Sequence, residues 1–194
     1  MGGRVGSGRS KPADHVALLR GINVGGNNPV PMVALAELFE RAGCHRVRTY
    51  IQSGNVLFRA DRALAAAIPT RIQDALARRL GIEVPVITRT AEQLRAVVRD
   101  NPLAADGLDP ARLHVAFLAA PPPADRVASL DPDRSPPDRF AVRGREIYLH
   151  CPNGMARTKL SGAYFDRQLA TVSTVRNWNT VRKLLAMIEA SDGW

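Results

Sequence analysis

A repeated strand pattern constrains the fold of this chain more than any other feature. The run HVALL begins at His15 and HVAFL begins at His114, and each is typical of a buried strand. A hairpin pattern follows each run, one around Ser53 and Gly54 and the other around Gly144. Along the sequence, fewer residues separate the two hairpins than separate the two strands. The difference falls in the connection after the first strand, where insertions are tolerated. The sequence therefore predicts two tandem copies of one unit.

Each copy is predicted to have the element order β-α-β-β-α-β. In the first copy, the strand at 15–21 precedes apolar residues at helical spacing up to Gly43, the hairpin, a helix ending at Gly81 and the strand EVPVITR. A connecting helix from Ala91 leads to the second copy, and a last helix is predicted to end near Asp192. This order predicts an α+β fold of two ferredoxin-like (βαββαβ) units with mostly antiparallel sheets and a C-terminal helix.

These elements divide the chain into three segments. Residues 1–14 are rich in glycine and charge, and they are predicted to form a disordered N-terminal extension. Residues 15–89 make up the first ferredoxin-like unit. Residues 90–194 contain the connecting helix, the second unit and the C-terminal helix. At 194 residues the chain is long enough to bury a substantial core.

Four motifs connect this chain with a known family. They are RGINVGG, MVALAELFERAG, VRTYIQSGNVLF and TVRNWNTVRKLL, in that order along the chain. With them the chain resembles the DUF1697 family of bacterial proteins, from residue 15 to about residue 190. The resemblance implies an α+β fold with ferredoxin-like parts. It brings no established activity, cofactor or catalytic residue, so function must be argued from the residues themselves.

The charge of the chain is strongly basic and unevenly placed. The formal net charge is +9 and the pI is about 10.7. Between residues 139 and 183 there are nine arginine and lysine residues against two acidic ones. Guanidinium groups match phosphate oxygens, so this segment is predicted to bind phosphates or nucleic acid. The alternative is that the arginines reflect codon bias and form a solvated face.

The sequence also limits the setting in which the protein works. No apolar run approaches the roughly 18–20 residues that cross a bilayer, and the N-terminal segment lacks the apolar core of a secretory signal. Cys44 and Cys151 lie outside any Cys-x-x-Cys pattern. We therefore expect a cytoplasmic protein with reduced thiols and no membrane contact. No residues have metal-ligand spacing, so neither a metal nor a cofactor is expected.

A Cys-x5-Arg-Thr pattern at 151–158 suggests phosphate chemistry. In a phosphatase-like enzyme, Cys151 would be the nucleophile and Arg157 would hold the phosphate. Loop amides and the start of a helix, TKLSGAYFDRQL, would bind the anion and lower the pKa of the thiol. Three points oppose this function. The rest of the chain does not resemble a phosphatase, and no Asp is placed as general acid. The resemblance to the DUF1697 family does not include a cysteine at this position. The alternative is an apolar cysteine that closes a strand.

A broader anion site is predicted where the third and fourth strands of the second unit end. Both ends lie at the same sheet edge, so two polar loops are expected to meet there. The predicted ligand-binding residues are Asn153, Gly154, Arg157, Thr158, Lys159, Arg176, Asn177, Trp178 and Asn179. The alternative is structural: Asn177 or Asn179 caps the last helix, and Trp178 belongs to the core.

A secondary candidate site lies in the first unit, where the exit of the first strand meets the hairpin turn. It consists of Arg20, Asn23, Gln52, Ser53 and Asn55. These side chains either bind a ligand or satisfy one another and the backbone of the turn. The nearby glycines lack the spacing of a dinucleotide fingerprint or a P-loop.

Three functions remain open on this basis. The first is binding of a phosphate-bearing ligand, nucleic acid or nucleotide, through the basic second half, because ferredoxin-like sheets often present a face to RNA. Against it, the strands carry no aromatic pair of an RNA-recognition motif. The second is a cysteine-dependent phosphatase-like hydrolase. The third is an interaction module whose exposed sheet edges pair with a partner.

Overall fold

The structure of the protein is a computed structural model that describes residues 11–26, 28–104 and 107–190. Within these residues the fold is α+β, with two four-stranded antiparallel sheets and six α-helices. Of the predicted N-terminal extension (residues 1–14), residues 1–10 lie outside the described residues. Its last two residues, Ala13 and Asp14, belong to the first strand. The predicted helix end near Asp192 also lies outside them.

The first sheet is built around the strand that begins the repeat. Its half of the chain contains, in order, β1 (Ala13–Leu19), α1 (Met32–Arg41), β2 (His45–Tyr50), β3 (Asn55–Ala60), α2 (Arg62–Leu80) and β4 (Val86–Thr90). β1 is central and pairs with both β3 and β4, which gives the strand order β2-β3-β1-β4. Asp61 caps α2 by accepting a hydrogen bond of 2.8 Å from the Leu64 amide, and Gly81 ends it with φ of 66°.

The second sheet repeats this arrangement. Its half contains α3 (Ala91–Arg99), a 3-10 helix (Pro110–Arg112), β5 (Leu113–Leu118), α4 (Ala124–Ala128), β6 (Arg139–Arg143), β7 (Glu146–His150), α5 (Gly162–Leu169), β8 (Ser173–Asn177) and α6 (Trp178–Glu189). The strand order is β6-β7-β5-β8. α5 begins later than the predicted TKLS start, because the Ser161 hydroxyl caps it by accepting from the Tyr164 amide at 3.2 Å. β8 extends past the predicted TVSTV and includes Arg176.

Helices cover the outer face of each sheet, and the two inner faces share one core. α1 and α2 pack on the outer face of the first sheet, and α5 packs on that of the second. Between the sheets, α3 and α6 pack together over apolar residues of both inner faces, among them Val16, Leu57, Val115, Phe117 and Trp178. Neither sheet therefore leaves an open face for RNA to lie on. No helix of the described residues is long and apolar enough to span a membrane.

The exit of β1 is fixed against the hairpin turn by a close backbone approach. The Leu19 amide donates a hydrogen bond of 2.8 Å to the carbonyl of Gly54. Gly54 has φ of 75°, and a Cβ at this position would lie 2.8 Å from the Cβ of Leu19 and 2.9 Å from Ile22. Only glycine fits both this left-handed backbone and this contact. The loop and the turn of the secondary candidate site are thus brought together as predicted.

Candidate functional site

The loop after β7 carries five of the predicted ligand residues on an irregular backbone. Asn153, Arg157 and Lys159 are exposed, and Gly154 and Thr158 are partly buried. Three backbone amides of the loop donate to groups within the protein. Those of Gly154 and Arg157 donate to loop carbonyls at 2.9 and 3.2 Å, and that of Lys159 donates to the Ser135 hydroxyl at 3.0 Å. These three amides are therefore not free to join a cradle of converging N–H groups, whereas the side chains of Arg157 and Lys159 are exposed to an anion.

Cys151 lacks the properties of a nucleophile. Its side chain is fully buried, with Sγ 3.6 Å from the Sδ of Met155. Burial, with a further contribution from Asp138, raises the pKa of the thiol to about 11, so it is protonated at neutral pH. The next helix begins only at Gly162, so its N-terminus does not follow the loop directly as the phosphatase hypothesis required. Cys151 closes a strand, as the structural alternative expected.

Four cations do collect at this end of the second sheet, and we call Arg112, Arg139, Arg157 and Lys159 the basic edge. The Cys151 amide donates to the Arg112 carbonyl at 2.9 Å, and β6 places Arg139 opposite His150. A Cβ on Gly154 would lie 3.1 Å from Nη1 of Arg112, so this guanidinium lies against the loop.

Two carboxylates lie near the basic edge, and both have partners. Asp109 is 3.8 Å from Nε of Arg112. Asp138 is buried and accepts a hydrogen bond of 2.7 Å from the Ser135 hydroxyl. Four cations against two carboxylates leave this edge positive.

Arg176 does not face this edge. It lies in β8 rather than at the start of the last helix, and its side chain crosses to the first half of the chain. The guanidinium donates to the carbonyls of Leu19 at 2.6 Å and Ser53 at 3.0 Å, and Nε donates to Oδ1 of Asn55 at 2.6 Å. Burial lowers its pKa to about 10, which leaves it charged at neutral pH. All three guanidinium nitrogens donate to acceptors within the protein, so the side chain of Arg176 is occupied in holding the two halves together.

The other residues around the start of the last helix divide between structure and surface. Asn177 caps α6 by accepting from the Asn179 amide at 2.9 Å, and its Nδ2 donates to the Ala111 carbonyl at 2.9 Å. Trp178 is 4% exposed and packs in the shared core, whereas Asn179 is exposed. β5 lies between β7 and β8, so the two strand ends are about 10 Å apart, twice the spacing of neighbouring strands. The two predicted loops share an edge without converging on one pocket.

Sequence reasoning missed Arg89, which matches Arg176 in the first sheet. Arg89 is 1% exposed and donates to the Glu146 carboxylate at 2.8 Å and to the carbonyls of Leu118 at 2.8 Å and Arg145 at 3.1 Å. The strands VITRT and STVRN each place an arginine just before the helix cap. Aligning the two copies at this position would have identified the pair.

The residues of the secondary candidate site satisfy one another. Nδ2 of Asn23 donates to the carbonyls of Val30 and Gln52, both at 2.9 Å. Nδ2 of Asn55 donates to the Ser53 hydroxyl at 2.9 Å. The Gln52 side chain is exposed.

Arg20, the one charged member of this set, forms an ion pair with Asp166 in α5. The polar groups of this site hold the turn together and link it to the second half. Across the residues that the structure describes, no three histidine, cysteine or acidic side chains are grouped closely enough to hold a metal ion.

Comparison with known proteins adds a family and a fold. A family model described as "Protein of unknown function (DUF1697)" matches residues 13–148. No curated protein matches the chain. A similar solved structure is that of the conserved bacterial protein SP0830 from Streptococcus pneumoniae, with a TM-score of 0.69 and 23% identity over 91% of this chain and 99% of that one. At this identity the likeness shows the fold alone.

Proposed function

Since the chain belongs to the DUF1697 family, whose description assigns no activity, we propose a function from its surface: it binds a phosphate-bearing polyanion, nucleic acid in the leading version. The binding surface is the basic edge. One observation carries the proposal: Arg112, Arg139, Arg157 and Lys159 lie together around the exposed loop after β7.

The form of the loop favours a polymer over a small phosphate at this edge. A small phosphate site in a loop depends on converging backbone amides, and three amides of this loop already donate within the protein. Exposed Arg and Lys side chains instead suit a phosphate backbone, where binding comes from several weak contacts and released counterions. Both faces of both sheets are covered, so the RNA-recognition mode of an open sheet does not apply. The polyanion would contact the edge and its loop.

The test is binding of a fluorescently labelled single-stranded oligonucleotide to the full-length protein across a salt series. We expect the logarithm of the binding constant to fall linearly with the logarithm of salt concentration. The double variant Arg157→Ala/Lys159→Ala should bind more weakly and reduce the salt slope by about 1.4, because two fewer phosphates of a single strand would be neutralised, at about 0.7 each. Both side chains are exposed, so the variant should fold normally.

The matched control is Arg78→Ala/Arg79→Ala, which removes two exposed charges from α2 in the first half. It should leave the slope unchanged. Equal weakening by both double variants would mean that binding depends on net charge alone and would reject the basic edge. Absence of binding at low salt, for DNA and RNA alike, would reject the function.

Two alternatives lack a specific observation in their favour. The phosphatase-like enzyme needs a thiolate, and Cys151 is buried with its pKa raised to about 11. The interaction module needs an open edge strand. β2 is interrupted by an irregular register between His45 and Arg48, and β6 carries Arg139 and Arg143, features that discourage strand addition.

We also propose that both units are ferredoxin-like and that the protein works in the cytoplasm. Within each half, the central first strand is flanked by the third and fourth strands, and the second strand lies at the edge, which supports the ferredoxin-like assignment. Cys44 and Cys151 are both free and buried, which is consistent with a reducing compartment.

A further inference from the structure

A cavity of about 360 Å³ lies at the far edge of the first sheet, away from the basic edge. It is bounded by the start of β1, the first turns of α2, the end of β4 and the turn between β6 and β7. Small-molecule sites usually have volumes of roughly 300–1,000 Å³, so this one would hold a ligand up to about the size of a mononucleotide. We call it the basic cavity.

Four cations line the basic cavity, and none of the described residues in its lining is acidic. They are Lys11, Arg62, Arg89 and Arg145. Glu146 balances Arg89 through an ion pair at 2.8 Å. Lys11 and Arg145 add positive charge that no carboxylate in the lining offsets. A concave surface of one sign focuses the field and attracts an anion.

His15 forms part of the wall of the cavity and has one buried ring nitrogen that no described residue satisfies. It is 7% exposed, lines the cavity and stacks on Phe58 with ring centroids 5.3 Å apart. Its Nε2 has no hydrogen-bond partner among residues 11–26, 28–104 and 107–190, while a hydrogen bond joins the ring to the backbone of Ala60. Burial lowers the pKa of the imidazole, which leaves it neutral, so Nε2 is an acceptor. A buried polar atom without a partner is uncommon and is usually satisfied by a ligand or water.

The helix that follows β4 adds to the field at the cavity. Thr90 and Gln93 both line it, and they form the capping box of α3, with hydrogen bonds of 3.1 and 3.0 Å. The positive end of this nine-residue helix therefore lies at the cavity. On the opposite wall, Ala66 of α2 is exposed, and its small side chain leaves the space open.

We propose that the basic cavity binds a small phosphate monoester, up to the size of a mononucleotide. The phosphate dianion would pair with Lys11 and Arg145 through charge-assisted hydrogen bonds. This site is separate from the basic edge, and its test does not depend on nucleic-acid binding.

The test is calorimetric titration of the full-length protein at low salt with AMP, ribose 5-phosphate, inorganic phosphate and adenosine. The three phosphates should bind, and adenosine should not. Ala66→Phe should fill the cavity and lower the affinity for AMP at least about tenfold, a loss of 1.4 kcal/mol. Ala63→Phe, at another exposed position of α2 that does not line the cavity, is the matched control and should leave it unchanged.

A charge variant gives a second measurement in case the bulky side chain disturbs folding. Lys11→Gln should lower the affinity for AMP about tenfold, since it removes one charge-assisted contact. Lys183→Gln, which removes the same charge from an exposed position of α6 outside both the basic cavity and the basic edge, should have no effect. The proposal is overturned if adenosine binds as tightly as AMP, if no phosphate binds, or if Lys183→Gln weakens binding as much as Lys11→Gln.

Discussion

Arg89 and Arg176 hold matching positions in the two sheets, and each reaches across to the other half of the chain. Arg89 lies opposite Val16 of the first central strand, and Arg176 lies opposite Val115 of the second. Each guanidinium donates to the last carbonyl of the other half's central strand and to the hairpin turn beside it. Each Nε donates to the first residue of the next strand, Glu146 in one case and Asn55 in the other.

Arg176→Ala should destabilise the protein severely. The change leaves the carbonyls of Leu19, Ser53 and Gly54 without this charged donor, and at about 1–3 kcal/mol for each buried acceptor we expect a loss of about 3–5 kcal/mol in the free energy of unfolding. Arg176→Lys should recover only part of this, because one ammonium cannot reach acceptors that surround a planar guanidinium. Urea unfolding followed by circular dichroism measures both.

The exposed Arg157→Ala is the control for loss of charge and should change stability by less than about 0.5 kcal/mol. A mild effect of Arg176→Ala, similar to that of Arg157→Ala, would show that the buried contacts contribute little. If the effect is large, Arg176→Ala is a poor probe of ligand binding, since weakened binding would report unfolding.

Gly54→Ala and Gly21→Ala separate backbone strain from a steric clash. Both glycines have positive φ, 75° and 66°, so each substitution should cost about 1–2 kcal/mol from the left-handed backbone. Only at Gly54 would the new Cβ collide, at 2.8 Å from Leu19, which should add about 1–3 kcal/mol. Denaturant midpoints of the two variants test the difference. Equal destabilisation would mean that the turn moves away from β1 at little cost.

Both cysteines should be unreactive in the folded protein. Burial raises the pKa of Cys44 to about 12 and that of Cys151 to about 11, so neither forms appreciable thiolate near neutral pH. Ellman's reagent at about pH 8 should label neither thiol until denaturant is added, and then both.

Aryl phosphate turnover should be absent from wild type and Cys151→Ser alike. Fast labelling of one thiol in the native protein, or turnover abolished by Cys151→Ser, would restore the enzyme hypothesis.

Acidification should destabilise the fold through His15 and His114. Burial lowers the pKa of both imidazoles below the value of 6.5 that they have when unfolded. In this range the unfolded chain binds protons that the folded chain does not, so the free energy of unfolding decreases as pH falls below about 6.5. Urea midpoints measured from neutral pH down to about pH 5 test this.

The histidine variants assign the pH effect to these two groups. The double variant His15→Gln/His114→Gln should have a flatter pH profile than wild type, whatever its overall stability. Replacing the exposed His45 with Gln should leave the profile unchanged. A profile that stays as steep in the double variant would assign the acid sensitivity to other groups.

Local pattern predicted the order of the elements because each strand and helix carries its own periodicity and its own stop. Gly81 ends α2 as predicted, and Gly54 forms the turn. The direction of the Arg176 side chain could not be predicted in this way, because it depends on how two distant sheets face each other. The burial of Cys151 could not be predicted from its motif for a related reason: the letters fit a phosphate loop, but the packing around the thiol, which governs its pKa, depends on distant residues.

The exchange of arginines between the halves has the form of a contact between two identical subunits. In a twofold dimer, residue i of one copy contacts j of the other, and j contacts i in return, so one substitution alters both sides. Here a single chain encodes the two contacts separately. One guanidinium has the carboxylate of Glu146 as its counter-ion, and the other has only the neutral amide of Asn55. Covalent linkage of the copies is what permits this asymmetry, and it allows each half to change without the other.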